Sequence, residues 1–379
     1  MNLFDVYSLL DMEPVKAQGA YLWDKEGAEY LDFYGGHAVI SIGHTHPHYV
    51  KRISEQLSAI GFYSNAVINS LQVELAEKLG ELTNGYEDYS LFLCNSGAEA
   101  NENALKLASF TTGRERVLAM KGAFHGRTSM AVAVTDNPTI QAPVNKTDKV
   151  SFIALNDCAA LREELQKGDY AAVIIEPIQG VGGIQVASDA FLREARELCD
   201  ATGTMLIMDE VQAGFGRSGK FFAHQWSGIK ADIITLAKGI ANGFPVGAIM
   251  ISPAIEAKKG MLGTTFGGSH LACAAALAVA EVVKQENLVE NARQMGEMIV
   301  EALRGEAIVS DIRGRGLMIG IDLKVPQADF RKVLREKYHI MTGLSGKFTL
   351  RLLPPLMIGE KEVERFVEAF RLTAAEFGM

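Results

Sequence analysis

Lys238 ends the apolar run Ile233-Ile234-Thr235-Leu236-Ala237 and is followed by Gly239. An amine delivered at the end of a buried strand is placed to act as a nucleophile. Upstream, Met205-Leu206-Ile207-Met208 leads in the same way into Asp209 and Gln212, so a second strand end supplies a carboxylate. An amine can hold an aldehyde as a Schiff base, and an acid can keep a pyridine nitrogen protonated. These are the two groups that pyridoxal 5'-phosphate needs to work as an electron sink.

A phosphate site is also legible. Asn95-Ser96-Gly97-Ala98-Glu99-Ala100-Asn101 follows the apolar segment Leu91 to Cys94 and opens a helical pattern. Free backbone N–H groups and the positive end of the helix favour an anion, Gly97 allows close approach, and the Ser96 hydroxyl adds a donor. Taken alone, Ser96 reads as a helix cap. The segment Gly122-Ala123-Phe124-His125-Gly126-Arg127-Thr128 puts an aromatic ring and a guanidinium in one loop. Phe124 can stack on a flat ring, and Arg127 can clamp a carboxylate. Arg351, between leucines and before Pro354-Pro355, needs an anion, either a structural partner or a ligand.

These residues are positioned by apolar bursts alternating with helical periodicity: Leu91 to Leu93, Val117 to Ala119, Val173 to Ile175, Leu206 to Met208, Ile233-Ile234 and Ala248 to Met250. The pattern is α/β with a mostly parallel sheet. Residues 1–60 carry a hairpin-like segment and a helix from about Pro47 to Ile60 and are assigned to a smaller domain. Residues 61–255 form the large cofactor-binding domain. Residues 256–379, with an Ala-rich helix and the short strands Leu317 to Ile321 and Thr349 to Leu353, return to the smaller α+β domain.

With 379 residues and a formal net charge of −9, the chain has no basic stretch dense enough to bind nucleic acid. Small molecules are the expected partners. Cys94, Cys158, Cys199 and Cys273 are scattered without a C-x-x-C pair, which disfavours a disulfide framework or a zinc site. His44, His46 and His48 alternate, but Pro47 interrupts them and no metal is expected. No export or membrane segment is visible, so a cytoplasmic protein is expected. Gly214 to Gly219 has G-x-G-x-x-G spacing, a weak dinucleotide signal because Phe221 to Trp226 does not clearly start the required helix.

Taken together, Gly43 to Pro47, Asn95 to Asn101, Phe124 to Thr128, Glu176-Pro177-Ile178-Gln179-Gly180, Asp209 to Gln212, Ala237 to Gly239, Thr264 to Gly268 and Arg351 to Pro355 resemble the class III, fold-type I pyridoxal-phosphate aminotransferases, most of all the acetylornithine and succinylornithine enzymes. The resemblance implies a large domain with a mostly parallel seven-stranded sheet and a smaller α+β domain built from both chain ends. It implies Lys238 as cofactor anchor and proton shuttle, Asp209 at the ring nitrogen, Gln212 near the ring hydroxyl, and Phe124 on the ring. Ser96, Gly97 and Ala98 would hold the phosphate, with Thr265 reaching that of a neighbouring subunit in a homodimer. Arg127 and Arg351 would take substrate carboxylates, and Asn65 would border the entrance. The implied reaction is transfer from N-acetylornithine to 2-oxoglutarate, as in arginine biosynthesis. N-succinylornithine, ornithine or 4-aminobutyrate are alternative donors.

The chain departs from this pattern at Val181, where most relatives carry a glutamate that, in the ornithine-type enzymes, masks the arginine matching Arg351 while the amine donor is bound. Ser269-His270 likewise replaces Asn-Pro after Phe266-Gly267-Gly268.

Overall fold

A computed structural model describes residues 1–379. Its strands, in chain order, are β1 (Pro14–Gln18), β2 (Tyr21–Asp24), β3 (Glu29–Phe33), β4 (Ser90–Cys94), β5 (Arg116–Met120), β6 (Val150–Ile153), β7 (Tyr170–Ile175), β8 (Ile178–Gln179) and β9 (Gln185–Val186). They continue as β10 (Met205–Asp209), β11 (Ile233–Leu236), β12 (Gly247–Ile251), β13 (Val309–Arg315), β14 (Met318–Leu323), β15 (Ile340–Ser345) and β16 (Thr349–Leu352).

The larger sheet has the order β4-β12-β11-β10-β7-β5-β6. All its strands run the same way except β12, which is antiparallel to both neighbours. Strands covered on both faces have apolar runs rather than alternation with polar residues, and β7, β10 and β11 follow that rule. Leu118, Val173, Ile175, Leu206, Met208, Ile234 and Leu236 enter one core. Their sequence neighbours Val117, Ala119, Ala172, Ile174, Ile207 and Ile233 enter another, packed against Ala100, Ala104 and Ala108 of the helix Gly97–Thr112. Each fully buried aliphatic side chain contributes about 1.5–3 kcal/mol. The alanine face lets this helix approach the sheet closely and fixes its N-terminus at the strand ends.

The second sheet, β1-β2-β3-β15-β16-β14-β13, is made from both ends of the chain. The join is the parallel pair β3 and β15, with Leu31 opposite Ile340 and Phe33 opposite Thr342. Behind it Phe33 stacks on Phe366 of the helix Glu360–Glu376, with ring centroids 4.5 Å apart.

The helix read as Pro47 to about Ile60 is Pro47–Ala59, and the Ala-rich helix is His270–Gln285. The reading of the sequence did not find β1, β6, β8, β9, β13 and β15. Gly214 to Gly219 forms consecutive turns and opens no α-helix. Its Arg217 is buried and donates to the carbonyls of Leu317 (3.2 Å) and Pro354. This segment therefore bridges the two sheet units.

Candidate active site

The strand ends converge as the parallel register requires. Asp209 is paired with Thr235, and Met208 with Ile175, so Asp209, Glu176 and Lys238 emerge side by side at the carboxyl edge of the sheet. The loop after β4 and the loop after β5 open on the same edge, where open α/β sheets place their ligands.

Ser96 is the N-cap of the helix Gly97–Thr112, and its Oγ accepts from Glu99 N at 3.1 Å. Capping leaves the hydroxyl proton free, while Gly97 and Ala98 N–H have no partner within the helix. A Cβ at Gly97 would lie 2.7 Å from Val211 Cγ1, and one at Gly126 would lie 2.8 Å from Ala98 Cβ. The lack of side chains therefore lets the helix start, the end of β10 and the Phe124 loop close on one another. Together with Phe124, Arg127, Gln212 and Lys238 they line a cleft of about 420 Å³, within the usual size for a small-molecule site.

Asp209 lies in its wall, 4 % exposed. Its Oδ2 receives His125 Nδ1 at 2.6 Å and Asn101 Nδ2 at 2.8 Å, and its Oδ1 receives Val211 N at 3.0 Å. Burial opposes ionisation of Asp209, but the His125 hydrogen bond and charge prevail and hold its carboxyl below the usual range. Burial likewise opposes charge on His125, and Asp209 more than offsets it, so the imidazole is raised. Both shifts favour the charged pair, imidazolium with carboxylate.

Lys238 has φ 48°, the left-handed region that a residue with a side chain rarely occupies. It is open to the cleft yet closely surrounded by protein; burial pushes its ammonium down, Asp209 and Glu176 oppose that, and Arg351 reinforces it. A lowered amine reaches its neutral, nucleophilic form more readily. Glu176, also buried, is pushed up to about 7 by burial, with His125 opposing and Asp209 adding.

Arg351 on β16 is 5 % exposed. Its Nη1 donates to the Gly180 carbonyl at 2.8 Å, its buried Nε has no partner, and no carboxylate pairs with it. Burial pushes the guanidinium down, opposed by the nearby Tyr34 and Glu176. Val181, 48 % exposed, offers no carboxylate there. Beside it, Gly35, Gly36, His37 and Ala38 all have positive φ, between 56° and 67°. This strained turn points the His37 carbonyl at Gln212 Nε2 (3.2 Å), while the buried Gln212 Oε1 has no partner.

Arg351, Thr265 and Asn65 are not among the residues that line this cleft. Thr265 is exposed, and Asn65 Nδ2 holds its loop through the carbonyls of Thr264 (3.1 Å) and Gly267 (3.0 Å). A larger groove of about 650 Å³ near Trp226 is a poor rival, because its Arg293 and Arg315 are already paired with Glu290, Glu297 and Asp189.

The sequence reading assigned no role to His125, Asn101 or Glu176. All three lie inside segments quoted for their neighbours, and no local spacing signals that they meet at Asp209. The cleft fits pyridoxal phosphate on its own chemistry: a helix N-terminus for the phosphate, an ionised carboxylate in one wall, an unsatisfied amide oxygen and a depressed lysine.

The family model for aminotransferase class-III matches residues 6–373. The chain is a class-III aminotransferase. It is 41% identical over 357 residues to the acetylornithine aminotransferase of Methanosarcina mazei, covering 93% of this chain and 89% of that protein. It is 41% identical over 370 residues to that of Archaeoglobus fulgidus, covering 97% and 96%. Among solved structures, the ornithine aminotransferase of Toxoplasma gondii superposes with a TM-score of 0.91 at 29% identity, covering 97% of this chain and 92% of that one. The acetylornithine aminotransferase of Elizabethkingia anophelis does so with 0.86 at 32% identity, covering 98% and 95%. Pyridoxal phosphate is the cofactor of this class, and the class-III enzyme acts on small molecules. No helix is long and apolar enough to cross a membrane.

Proposed function

We propose that this aminotransferase moves the terminal amino group of N-acetylornithine to 2-oxoglutarate, yielding N-acetylglutamate 5-semialdehyde and glutamate. Relatives named acetylornithine aminotransferase at about 40% identity over nearly the whole chain support the donor. The observation that carries the acceptor is Arg351, a buried guanidinium with no ion-pair partner, close enough to Lys238 to lower its ammonium. An uncompensated buried charge is costly, and a substrate carboxylate offsets that cost.

Bound in the cleft, pyridoxal phosphate supplies the electron sink for cleavage next to the amino nitrogen. Lys238 Nζ would anchor the cofactor and, once freed, would serve as the general base that takes up and returns a proton. Asp209, whose carboxyl His125 and Asn101 hold toward its ionised form, would pair with the ring nitrogen. Ser96, Gly97 and Ala98 would bind the phosphate, Phe124 would stack on the ring, and Gln212 would hydrogen-bond near the ring hydroxyl. Arg127, exposed at the mouth and without an ion pair of its own, receives the donor carboxylate, and Asn65 keeps the entrance loop in place.

The active unit in this reading is a homodimer. Thr265 is on an exposed loop, next to Phe266 and Phe62, whose rings are 5.3 Å apart, and Ile60, Tyr63 and Ile68 are also exposed. An apolar surface of this kind supports an interface, across which Thr265 would reach the phosphate of the partner's cofactor. Val181 leaves Arg351 unmasked in both half-reactions, which favours N-succinylornithine as the second reading because that donor has an additional carboxylate. Mixing the yellow holoenzyme separately with N-acetylornithine, N-succinylornithine and ornithine decides the donor. The true donor bleaches the visible band rapidly, and failure of both acylated donors would sink the proposal.

A further inference from the structure

Glu176 joins two loops that the reaction uses for different purposes. It follows β7 and lies beside Asp209 by register. Its Oε1 accepts from Phe124 N at 2.8 Å, and its Oε2 accepts from Gly180 N at 3.1 Å. The Gly180 carbonyl, in the next peptide unit, accepts from Arg351 Nη1 at 2.8 Å. One carboxylate thus holds the backbone under the ring platform with one oxygen and the backbone that anchors the substrate arginine with the other.

Two features make this link stiff. Ionised, as it is above about pH 7, the Glu176 carboxylate is acceptor-only and satisfies two N–H groups at once, whereas an amide of the same shape satisfies one and turns its NH2 toward the second. The loops also meet at glycines, with no side chain to absorb movement. A Cβ at Gly182 would lie 2.7 Å from the Gly122 carbonyl, and one at Gly180 would lie 1.7 Å from Gln212 Oε1. Gln179 Nε2 adds a bond to the Lys121 carbonyl at 2.9 Å. A shift of Gly180 when Arg351 takes a carboxylate is therefore transmitted to Phe124 and Gln212.

We propose that Glu176 is a positioning residue that couples the Arg351 carboxylate pocket to the cofactor-ring platform, so that a dicarboxylate bound at one is registered at the other. This inference rests on the reading that Arg351 binds a substrate carboxylate. Its test uses glutarate, a dicarboxylate with no carbonyl to react, titrated into the pyridoxal-phosphate holoenzyme while the visible circular dichroism of the cofactor is followed. In the unsubstituted enzyme glutarate changes the band. In Glu176→Gln the cofactor still binds, the band no longer responds to glutarate, and glutarate affinity falls about tenfold, the size of one lost charge-assisted hydrogen bond.

A full-sized glutarate response in Glu176→Gln overturns the inference. If that variant does not fold, amide exchange on the unsubstituted holoenzyme gives the same decision. Phe124 and Gly180 N–H gain protection together on glutarate binding, and protection of Gly180 alone overturns the coupling. Failure of glutarate to bind the unsubstituted holoenzyme at all refutes the Arg351 reading itself, a result distinct from binding without transmission.

Discussion

Replacing Arg351 by methionine should make the ligand-free protein more stable while removing its use for dicarboxylates. Arg351 is 5 % exposed and keeps one hydrogen bond, to the Gly180 carbonyl, with Nε unpaired and no carboxylate bonded to it. Burying such a charge costs several kcal/mol. Its single charge-assisted hydrogen bond returns about 1.5–3 kcal/mol. Methionine fills similar space without either contribution, so the expected gain is about 1–2 kcal/mol, or roughly 1–3 °C in Tm for a chain of this length. Calorimetry with and without glutarate is the assay. Glutarate at about 100 times its Kd should stabilise the unsubstituted protein by about 2.7 kcal/mol and leave Arg351→Met unmoved, reversing their order. If Arg351→Met melts well below the unsubstituted protein without ligand, the guanidinium has a structural counter-ion and the argument for a substrate pocket fails.

Other predictions concern the rest of the cleft. Lys238→Ala should lower turnover by about 10³-fold or more while leaving the circular dichroism of the backbone unchanged; retention of turnover would remove Lys238 from the chemistry. Gly180→Ala should displace the Gln212 amide, which a Cβ would meet at 1.7 Å, weakening cofactor affinity measured by absorbance while costing only about 1–3 kcal/mol of stability. Val181→Glu should introduce a carboxylate able to mask Arg351 and change donor discrimination in steady-state kinetics; identical ratios of kcat/KM would count against the gate argument. Glu176, raised from 4.5 to about 7 on folding, binds its proton more tightly in the folded state. Its contribution is fully present below about 4.5 and is lost as pH rises through about 7. The Tm-versus-pH curve of Glu176→Gln, without cofactor, should lack that decline.

Much of the catalytic edge was legible because parallel strands buried on both faces leave continuous apolar runs, and the residue after each run is the one that reaches the cleft. Lys238, Asp209 and the Ser96 turn were found in that way. β13 and β15 escaped the same logic: Val309-Ser310-Asp311-Ile312-Arg313 carries charges on a partly exposed strand, and Gly343 interrupts β15. What one sequence cannot show is lateral pairing. His125 meets Asp209 across 84 positions, and Arg351 meets Gly180 across 171. Arg351 could be suspected from its leucine neighbours, but the absence of a carboxylate partner appears only once β16 is placed.

The parallel seam between β3 and β15 also governs the order in which the enzyme can be made. A chain emerging from the ribosome completes the lysine-bearing sheet, from Ser90 to Ile251, while Leu31 to Phe33 still wait for Ile340 to Thr342. Until then the first hairpin presents an unpaired edge, the kind of surface that invites intermolecular pairing. Arg351 arrives with the strand next to that late partner. Along the chain, the strands that carry Asp209 and Lys238 thus precede both Ile340 to Thr342, which close the seam, and Arg351 on the neighbouring strand.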